Sequence, residues 1–186
     1  MGSFASFVVS VVKALEESGV EYVIVGGVAA IHYGRVRLTQ DVDVIVLIER
    51  DDEKSVKSLV TTLRKHGFQI GEEALRTALR EKSHLTIFHK AHPVLHLDLK
   101  GVYSDLDRLV LDGKVRAHLY CCTAWVEAPE DLIVAKLVYG SAQDIEDAAV
   151  VLLTMRDTID MARLREKARR FGVENLLDAL CSKVSA

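Results

Sequence analysis

Short apolar runs alternate along the chain with segments in which apolar residues return every three or four positions. The first periodic segment, residues 4–18, predicts an amphipathic helix that ends before Gly19. The β-branched and aromatic run at 22–25 predicts a buried strand that leads into a turn at Gly26 and Gly27. The same kind of pattern predicts further strands at 42–48, 84–88, 94–99 and 115–119.

Helical periodicity predicts a short helix at 28–33 and a surface helix at 52–66, and it dominates the chain from Pro129 onwards. A proline at the first helical position, followed by two acids, predicts a helix that runs from Pro129 to Tyr139. Further helices are predicted near 143–155, 160–170 and 173–182.

This order of elements, mixed at first and helical at the end, predicts an α/β (α+β) fold with a small mixed sheet flanked by helices. We place a domain boundary at Pro129, so that residues 1–128 form the core and residues 129–186 form a C-terminal helical segment. That segment either is a domain of its own or packs on the core as part of one domain.

Composition narrows the choice of partners and location. The chain is 49% hydrophobic and 27% charged, which is typical of a soluble globular protein with a full core. Its net charge of -3 gives no general attraction to nucleic acid or to an anionic membrane. The apolar stretch at 4–12 is too short to span a bilayer, so no membrane contact is expected. Cys121 and Cys122 have no metal-ligand or disulfide spacing, and we expect partly buried thiols in the reducing cytoplasm.

The first candidate for chemistry is the pair Asp41 and Asp43, separated by Val42 at the start of a predicted strand. Side chains alternate between the faces of a strand, so both carboxylates project to one side while Val42 points into the core. Carboxylate oxygens are ligands that hard divalent cations prefer. Alone, the pair does not distinguish a metal site from a solvated strand start.

The second and third candidates are the glycine pair and Asp98. Gly26 and Gly27 lie where a strand gives way to a helix, which allows a phosphate close to the backbone or forms an ordinary turn. Asp98 follows Leu97 in an apolar strand, where a carboxylate needs a cation or hydrogen bonds. A strand-end aspartate bonded to backbone amides is the structural alternative.

These pieces occur in a specific order: Val25-Gly26-Gly27, then Asp41-Val42-Asp43-Val44 after thirteen residues, then Leu97-Asp98-Leu99. The order resembles the signature of the DNA polymerase beta-type nucleotidyltransferase superfamily, in its small prokaryotic branch. That branch includes minimal nucleotidyltransferases and components of toxin–antitoxin and abortive-infection systems. The stretch 33–41 resembles the Arg-x-Thr-x-Asp run before the acidic pair, and the helix opening at Pro129 resembles the Glu-Asp-Leu-Ile helix of the superfamily.

The resemblance implies a nucleotidyltransferase fold and a two-metal site. Asp41, Asp43 and Asp98 would be the catalytic and metal-binding residues for two Mg²⁺ ions, with Mn²⁺ as an alternative. Gly26 and Gly27 would hold the β- and γ-phosphates of a nucleoside triphosphate such as ATP. Without metal, three clustered carboxylates repel one another, so at least one should have a raised pKa.

Three more residues are candidates for nucleotide binding. Lys136 shares a helix face with apolar neighbours, so it either reaches inward to a phosphate or extends outward to solvent. Arg37 and Thr39 either contact the substrate or fix the loop before Asp41, and we favour the structural role. The histidines at 89, 92 and 96 have helical metal-binding spacing, but Pro93 and the following strand argue against zinc there.

Two departures from the superfamily pattern leave two functions open. Val28 stands where better-known members carry a serine that holds the triphosphate, and Ser141-Ala142-Gln143 lacks the usual basic residues before Asp144. The favoured function is Mg²⁺-dependent transfer of a nucleoside monophosphate to a hydroxyl of a protein, RNA or small molecule, with release of pyrophosphate. The alternative is a catalytically weak or inactive binding module, such as a toxin–antitoxin component with a partner protein.

Overall fold

The computed structural model describes residues 3–49 and 52–184, which form a mixed sheet flanked by helices. The strands are β1 (Glu21–Val25), β2 (Asp41–Leu47), β3 (Phe68–Gln69), β4 (Leu85–His89), β5 (His92–Gly101), β6 (Val115–Leu119) and β7 (Cys122–Val126). The helices are α1 (Ser3–Ser18), α2 (Gly26–His32), α3 (Glu53–Lys65), α4 (Glu72–Glu81), α5 (Asp105–Asp112), α6 (Pro129–Tyr139), α7 (Ala142–Thr154), α8 (Met161–Arg170) and α9 (Glu174–Val184). The predicted α/β class is confirmed.

The sheet has seven strands in the order β3-β4-β5-β2-β1-β7-β6. Strand β2 is central: it pairs antiparallel with β1 and parallel with β5. In the parallel register, Asp41 lies opposite His96 and Asp43 lies opposite Asp98. This register therefore brings together residues that are more than fifty positions apart along the chain.

The two faces of the central strands have different chemistry. Val42 and Leu97 are fully buried on the face where Tyr22 donates a hydrogen bond to Glu16 of α1. Asp43 and its neighbours project to the opposite face, where α5 and α6 pack. The predicted alternation along β2 and β5 is confirmed, and it is the feature that gathers acids on one side of the sheet.

Elements α4, β3 and β7 have no counterpart among the predicted ones, whereas α5 covers the stretch around Asp105 and Asp107, whose sequence pattern looks helical. Helix α4 is short and buries only Leu75 and Ala78. Strand β7 follows β6 through a turn in which Tyr120 adopts a left-handed φ of 53°. That turn contains no glycine or asparagine, which removes the usual sequence signal for a hairpin. Cys121, in the same turn, is exposed, so its expected partial burial is wrong.

The helical segment that begins at Pro129 packs against the rest of the chain. Helix α6 contacts α2 and α5, and buried residues on both sides of position 129 belong to one hydrophobic cluster. The division into two domains at this position stays a prediction. Within the residues that the structure describes, no helix has the length and apolar character needed to cross a bilayer.

A buried ion pair joins α6 to α8. Asp131 is completely buried and accepts a hydrogen bond from Lys167 Nζ, which is itself largely buried. Burial raises the pKa of Asp131, and the lysine opposes that shift. Removing the lysine leaves an uncompensated carboxylate in the core. This costs more stability than replacing both partners by apolar residues.

We predict that Lys167→Met lowers the free energy of unfolding by about 3–5 kcal/mol, because Asp131 loses its buried cation. Chemical denaturation at neutral pH measures the change. Lys57→Met, on the exposed side of α3, is the matched control and should change stability by less than about 0.5 kcal/mol. Equal stability of the two variants would show that the pair does not hold α8 on α6.

Candidate metal and nucleotide site

The acidic residues predicted from the sequence converge on one face of the sheet. Asp41 and Asp43 project from β2, and Asp98 projects beside them from the parallel neighbour β5. Threonine hydroxyls hold two of the carboxylates: Thr39 donates to Asp41 Oδ1, and Thr86 donates to Asp98 Oδ1 at 2.6 Å. Each of these carboxylates therefore keeps its second oxygen, Oδ2, for another partner.

Asp43 is the most perturbed member of the group. Burial, together with the negative charges of Asp41 and Asp98, raises its pKa to about 6, although an amide hydrogen bond from Gly27 opposes the shift. The expectation that one clustered carboxylate has a raised pKa agrees with this value. Like charges held this close favour either a proton or a cation between them.

His96 joins the acidic group, and the sequence did not indicate this. Its Nε2 lies 3.7 Å from Asp98 Oδ2, and one ligand atom from each of Asp41, His96 and Asp98 lies within 4.8 Å of the others. Oxygen and nitrogen donors at this spacing fit a divalent cation. The residues present therefore match the metal that the superfamily resemblance implies.

The histidines with helical spacing do not converge. The rings of His89 and His92 stack at 5.0 Å, and both contact Phe7 of α1 on the other side of the sheet from the acids. His96 projects from β5 next to Asp41 instead. The pairing of β4 with β5 is the reason, because its register shifts between Phe88 and His89: His89 lies opposite His92, whereas Phe88 lies opposite His96.

The glycine pair contacts carboxylates of the protein itself. Gly26 adopts a φ of +67°, and its amide donates to Glu127 Oε1 at 2.7 Å. The amide of Gly27 donates to Asp43. A Cβ on Gly26 would lie 2.5 Å from Asp43 Oδ2, so only glycine fits at this position. The phosphate contacts expected of these amides stay a prediction, since both already have acceptors.

Glu127 is a buried acid that the sequence did not single out. Only 2% of its surface is exposed, and burial raises its pKa to about 8. Its backbone is fixed from both sides: its amide donates to Ile24 O at 3.0 Å, and Tyr33 Oη donates to its carbonyl at 2.8 Å. Because it directly precedes α6, Glu127 links the glycine turn to the C-terminal helices.

A cluster of cations surrounds Asp147, a fully buried carboxylate on α7. Arg35 Nε lies 3.0 Å from one of its oxygens, while Lys136 Nζ at 3.1 Å and Arg37 Nε at 3.8 Å lie near the other. Lys136 also binds Asp144 at 2.7 Å. The lysine therefore points inward, and its pKa is raised because these carboxylates outweigh the effect of burial, which would lower it.

Arg37 and Thr39 lie over the start of α2. A Cβ on Gly27 would collide with the Arg37 guanidinium and would lie 3.1 Å from Thr39 Oγ1. Arg37 Nε is buried and has no hydrogen-bond acceptor within the described part of the chain. The structural role expected for Thr39 agrees with its hydrogen bond to Asp41. The arginine, however, keeps a donor free.

A cavity of about 200 Å³ opens beside Asp43 and Asp98. It lies between the acidic face of the sheet and helices α5 and α6, and the ion pair between Lys100 Nζ and Asp107 Oδ1, 2.7 Å apart, forms part of its wall. Its apolar wall includes Ile45, Leu106, Val110, Leu132 and Ala135. A mixture of apolar and charged lining is typical of the places where proteins bind small organic groups.

Solved structures of similar architecture include a nucleotidyltransferase-like protein and ANT(2″)-Ia. An antigenic nucleotidyltransferase-like protein from Paracoccidioides brasiliensis has 16% identity and a TM-score of 0.58, over 98% of this chain and 92% of that one. ANT(2″)-Ia in complex with adenylyl-2″-tobramycin has 13% identity and a TM-score of 0.62, over 91% and 97%. JHP933 from Helicobacter pylori has 15% identity and a TM-score of 0.54, over 98% and 79%. The predicted nucleotidyltransferase fold is confirmed.

The family follows from a match over most of the sequence. The model of the family described as "Nucleotidyltransferase of unknown function (DUF6036)" matches residues 8–174, and the chain belongs to this family. The family and the structural neighbours agree with the polymerase beta-type superfamily suggested by the acidic motif. A comparison with curated proteins gives no match.

We predict that Gly26→Ala disrupts the site as well as the turn. Any alanine at a left-handed φ costs about 1–2 kcal/mol of stability, and here its Cβ also displaces Asp43. Gly19→Ala is the matched control, since Gly19 has a φ of +70° but no atom within 4 Å of an added Cβ. Calorimetry should show weakened Mg²⁺ binding in Gly26→Ala only; equal loss in both variants would contradict the contact with Asp43.

We also predict that Glu127→Gln flattens the pH dependence of stability. The folded state holds the Glu127 proton up to pH about 8, while the unfolded state releases it near 4.5. The free energy of unfolding of the wild type therefore falls as the pH rises through this window, by at most about 1.4 kcal/mol for each pH step of one. Thermal unfolding from pH 5 to 8 in EDTA measures the slope; an unchanged slope in the variant would exclude Glu127 as its source.

Proposed function

We propose that this protein transfers a nucleoside monophosphate from a nucleoside triphosphate, such as ATP, to a hydroxyl group and releases pyrophosphate. The observation that carries the proposal is the convergence of Asp41, Asp43 and Asp98 beside a cavity, in a chain of the nucleotidyltransferase family. The acceptor is a protein, an RNA or a small molecule, and the reaction takes place in the cytoplasm.

The proposed metal ligands are Asp41, Asp43 and Asp98, with Mg²⁺ as the expected ion and Mn²⁺ as the alternative. Two such ions neutralise the charge that develops on the attacking and leaving oxygens of a phosphoryl transfer. The raised pKa of Asp43 supports the proposal: burial is its largest cause, the charges of Asp41 and Asp98 add to it, and a cation would stabilise the ionised carboxylates.

The proposed nucleotide-binding residues are Gly26, Gly27, Arg37, Thr39 and Lys136. Arg37 supports this assignment most directly, since a terminal nitrogen of its guanidinium lies beside Gly27 at the start of α2, while its buried Nε faces Asp147. Asp147 keeps Arg37 and Lys136 near the start of α2, so both side chains are already in position when the substrate binds. The phosphates then meet cations that need little rearrangement.

The proposed step is an in-line displacement at the α-phosphorus. The acceptor oxygen bonds to phosphorus, the bond to the pyrophosphate oxygen breaks, and its electron pair leaves with pyrophosphate. Asp98, whose Oδ1 accepts a hydrogen bond from Thr86, would help to hold the ion that promotes loss of the acceptor hydroxyl proton to solvent. The cavity next to Asp43 and Asp98 holds the organic part of one substrate and excludes water from it.

A second candidate function is a binding module without turnover, such as one component of a toxin–antitoxin pair. Its support is that Glu127 and Asp43 occupy the amides of Gly26 and Gly27, and that Val28 offers no hydroxyl to a triphosphate. Lys136, in addition, is bound by two carboxylates. A partner protein would then be the ligand that matters.

Transfer of label separates the two functions. Purified protein is incubated with each α-labelled nucleoside triphosphate and Mg²⁺, with total RNA and cell lysate as acceptors. We expect label transfer by wild type, and a loss of about a hundredfold or more in Asp43→Asn, since metal-ion catalysis contributes several kcal/mol. Asp105→Asn, an exposed acid at the start of α5, is the control and should keep wild-type activity.

If Asp43→Asn still transfers label, Asp43 is not required for the reaction. An absence of transfer with every nucleotide and acceptor would favour the binding module.

A further inference from the structure

We propose that His96 is a ligand of the bound cation, and that its nitrogen makes the site prefer Mn²⁺ to Mg²⁺. The proposal rests on the metal-dependent function proposed above. It adds a metal ligand from outside the acidic motif and a preference between metals that the motif does not indicate.

The first argument is geometric. His96 lies directly opposite Asp41 in the parallel register, two residues before Asp98 on the same face of β5. Its Nε2 is 3.7 Å from Asp98 Oδ2, and one ligand atom of each of the three residues falls within 4.8 Å of the others. That separation suits donors arranged around one ion, whereas it is too long for a hydrogen bond between His96 and Asp98.

The second argument concerns the orientation of the carboxylates. Thr39 and Thr86 each hold the Oδ1 atom of one aspartate, on β2 and β5 respectively. Outer hydrogen bonds of this kind fix metal-binding side chains in position before the ion arrives. Asp98 Oδ2 faces His96 for this reason, and the free oxygens and the imidazole converge.

The third argument is that His96 itself is fixed. Its backbone amide donates to Gln40 O at 3.0 Å, which ties it to the residue before Asp41. Its ring packs at 5.9 Å from the ring of Phe88, a half-exposed side chain on β4. An imidazole held between a strand neighbour and an aromatic ring loses little freedom when it binds a metal.

The donor set then determines which ion is preferred. Mg²⁺ demands nearly ideal octahedral oxygen ligands and gives up water reluctantly. Mn²⁺ accepts carboxylate oxygens equally well, and imidazole nitrogen favours the transition metals over Mg²⁺. A site in which an imidazole joins the carboxylates is therefore better matched to Mn²⁺ than a site of carboxylates alone.

Metal binding without nucleotide tests the proposal. Free Mn²⁺ is followed by its electron paramagnetic resonance signal, and Mg²⁺ affinity is obtained by competition against bound Mn²⁺. We expect wild type to bind Mn²⁺ about tenfold or more tightly than Mg²⁺, the scale on which single contacts change metal affinity. His96→Gln places an oxygen near the same position. The ratio of Mn²⁺ affinity to Mg²⁺ affinity should therefore fall towards one, while Mg²⁺ binding persists.

Two further variants separate coordination from folding. Thr86→Val should lower the affinity for both ions by about tenfold without changing the ratio of the two affinities. The substitution frees the Asp98 carboxylate from its hydrogen bond but leaves the imidazole in place. His118→Gln, on the exposed side of strand β6 and remote from β5, should match wild type. Thermal unfolding in EDTA verifies that each variant is folded.

Equal Mn²⁺ and Mg²⁺ affinities in wild type, or an unchanged preference in His96→Gln, would overturn the proposal. Because no substrate is present, this result is independent of nucleotidyl transfer. A protein that fails to transfer label can still show the preference, and one that transfers label can lack it.

Discussion

Repulsion between carboxylates on one face of the sheet is the constraint on which the site depends. The parallel pairing of β2 with β5 fixes Asp43 beside Asp98, and backbone hydrogen bonds prevent the strands from separating to relieve the charge. The chain lessens the cost locally, through threonine hydroxyls on two acids and the Gly27 amide on Asp43. The pKa of Asp43 nevertheless stays raised, so this face favours a cation whenever one is available.

Among the described residues, the cations near these acids are paired mainly with other acids, and Lys136 only partly offsets the raised pKa of Asp43. Arg35, Arg37 and Lys136 gather around Asp147, a buried carboxylate that belongs to a different layer of the fold. Had Lys136 paired with Asp43 instead, the acidic face would have lost its attraction for a metal. Keeping the two clusters apart leaves one surface suited to a divalent ion and another suited to phosphate, which is the arrangement that nucleotidyl transfer requires.

Local patterns predicted most of the fold, whereas the site was predicted only in part. The helix from Pro129 to Tyr139 and the strand that carries Asp98 were predictable because capping and alternation are encoded within a few residues. Glu127 and His96 were not, since their roles come from pairings between distant segments. The sequence around Glu127 predicts only the start of α6. Gly26 meets the Glu127 carboxylate because of the order of the strands in the sheet, which local patterns do not specify.

The protonation state of Glu127 affects both proposed functions, turnover and simple binding. Its carboxyl occupies the amide of Gly26, where a phosphate oxygen is expected, and a charged carboxylate there would repel a triphosphate. With a pKa of about 8, however, the group is mostly protonated at neutral pH. A neutral carboxyl accepts hydrogen bonds more weakly than a phosphate does. The occupied amide is therefore compatible with nucleotide entry, and the glycine turn has a positive φ and a close contact with Asp43.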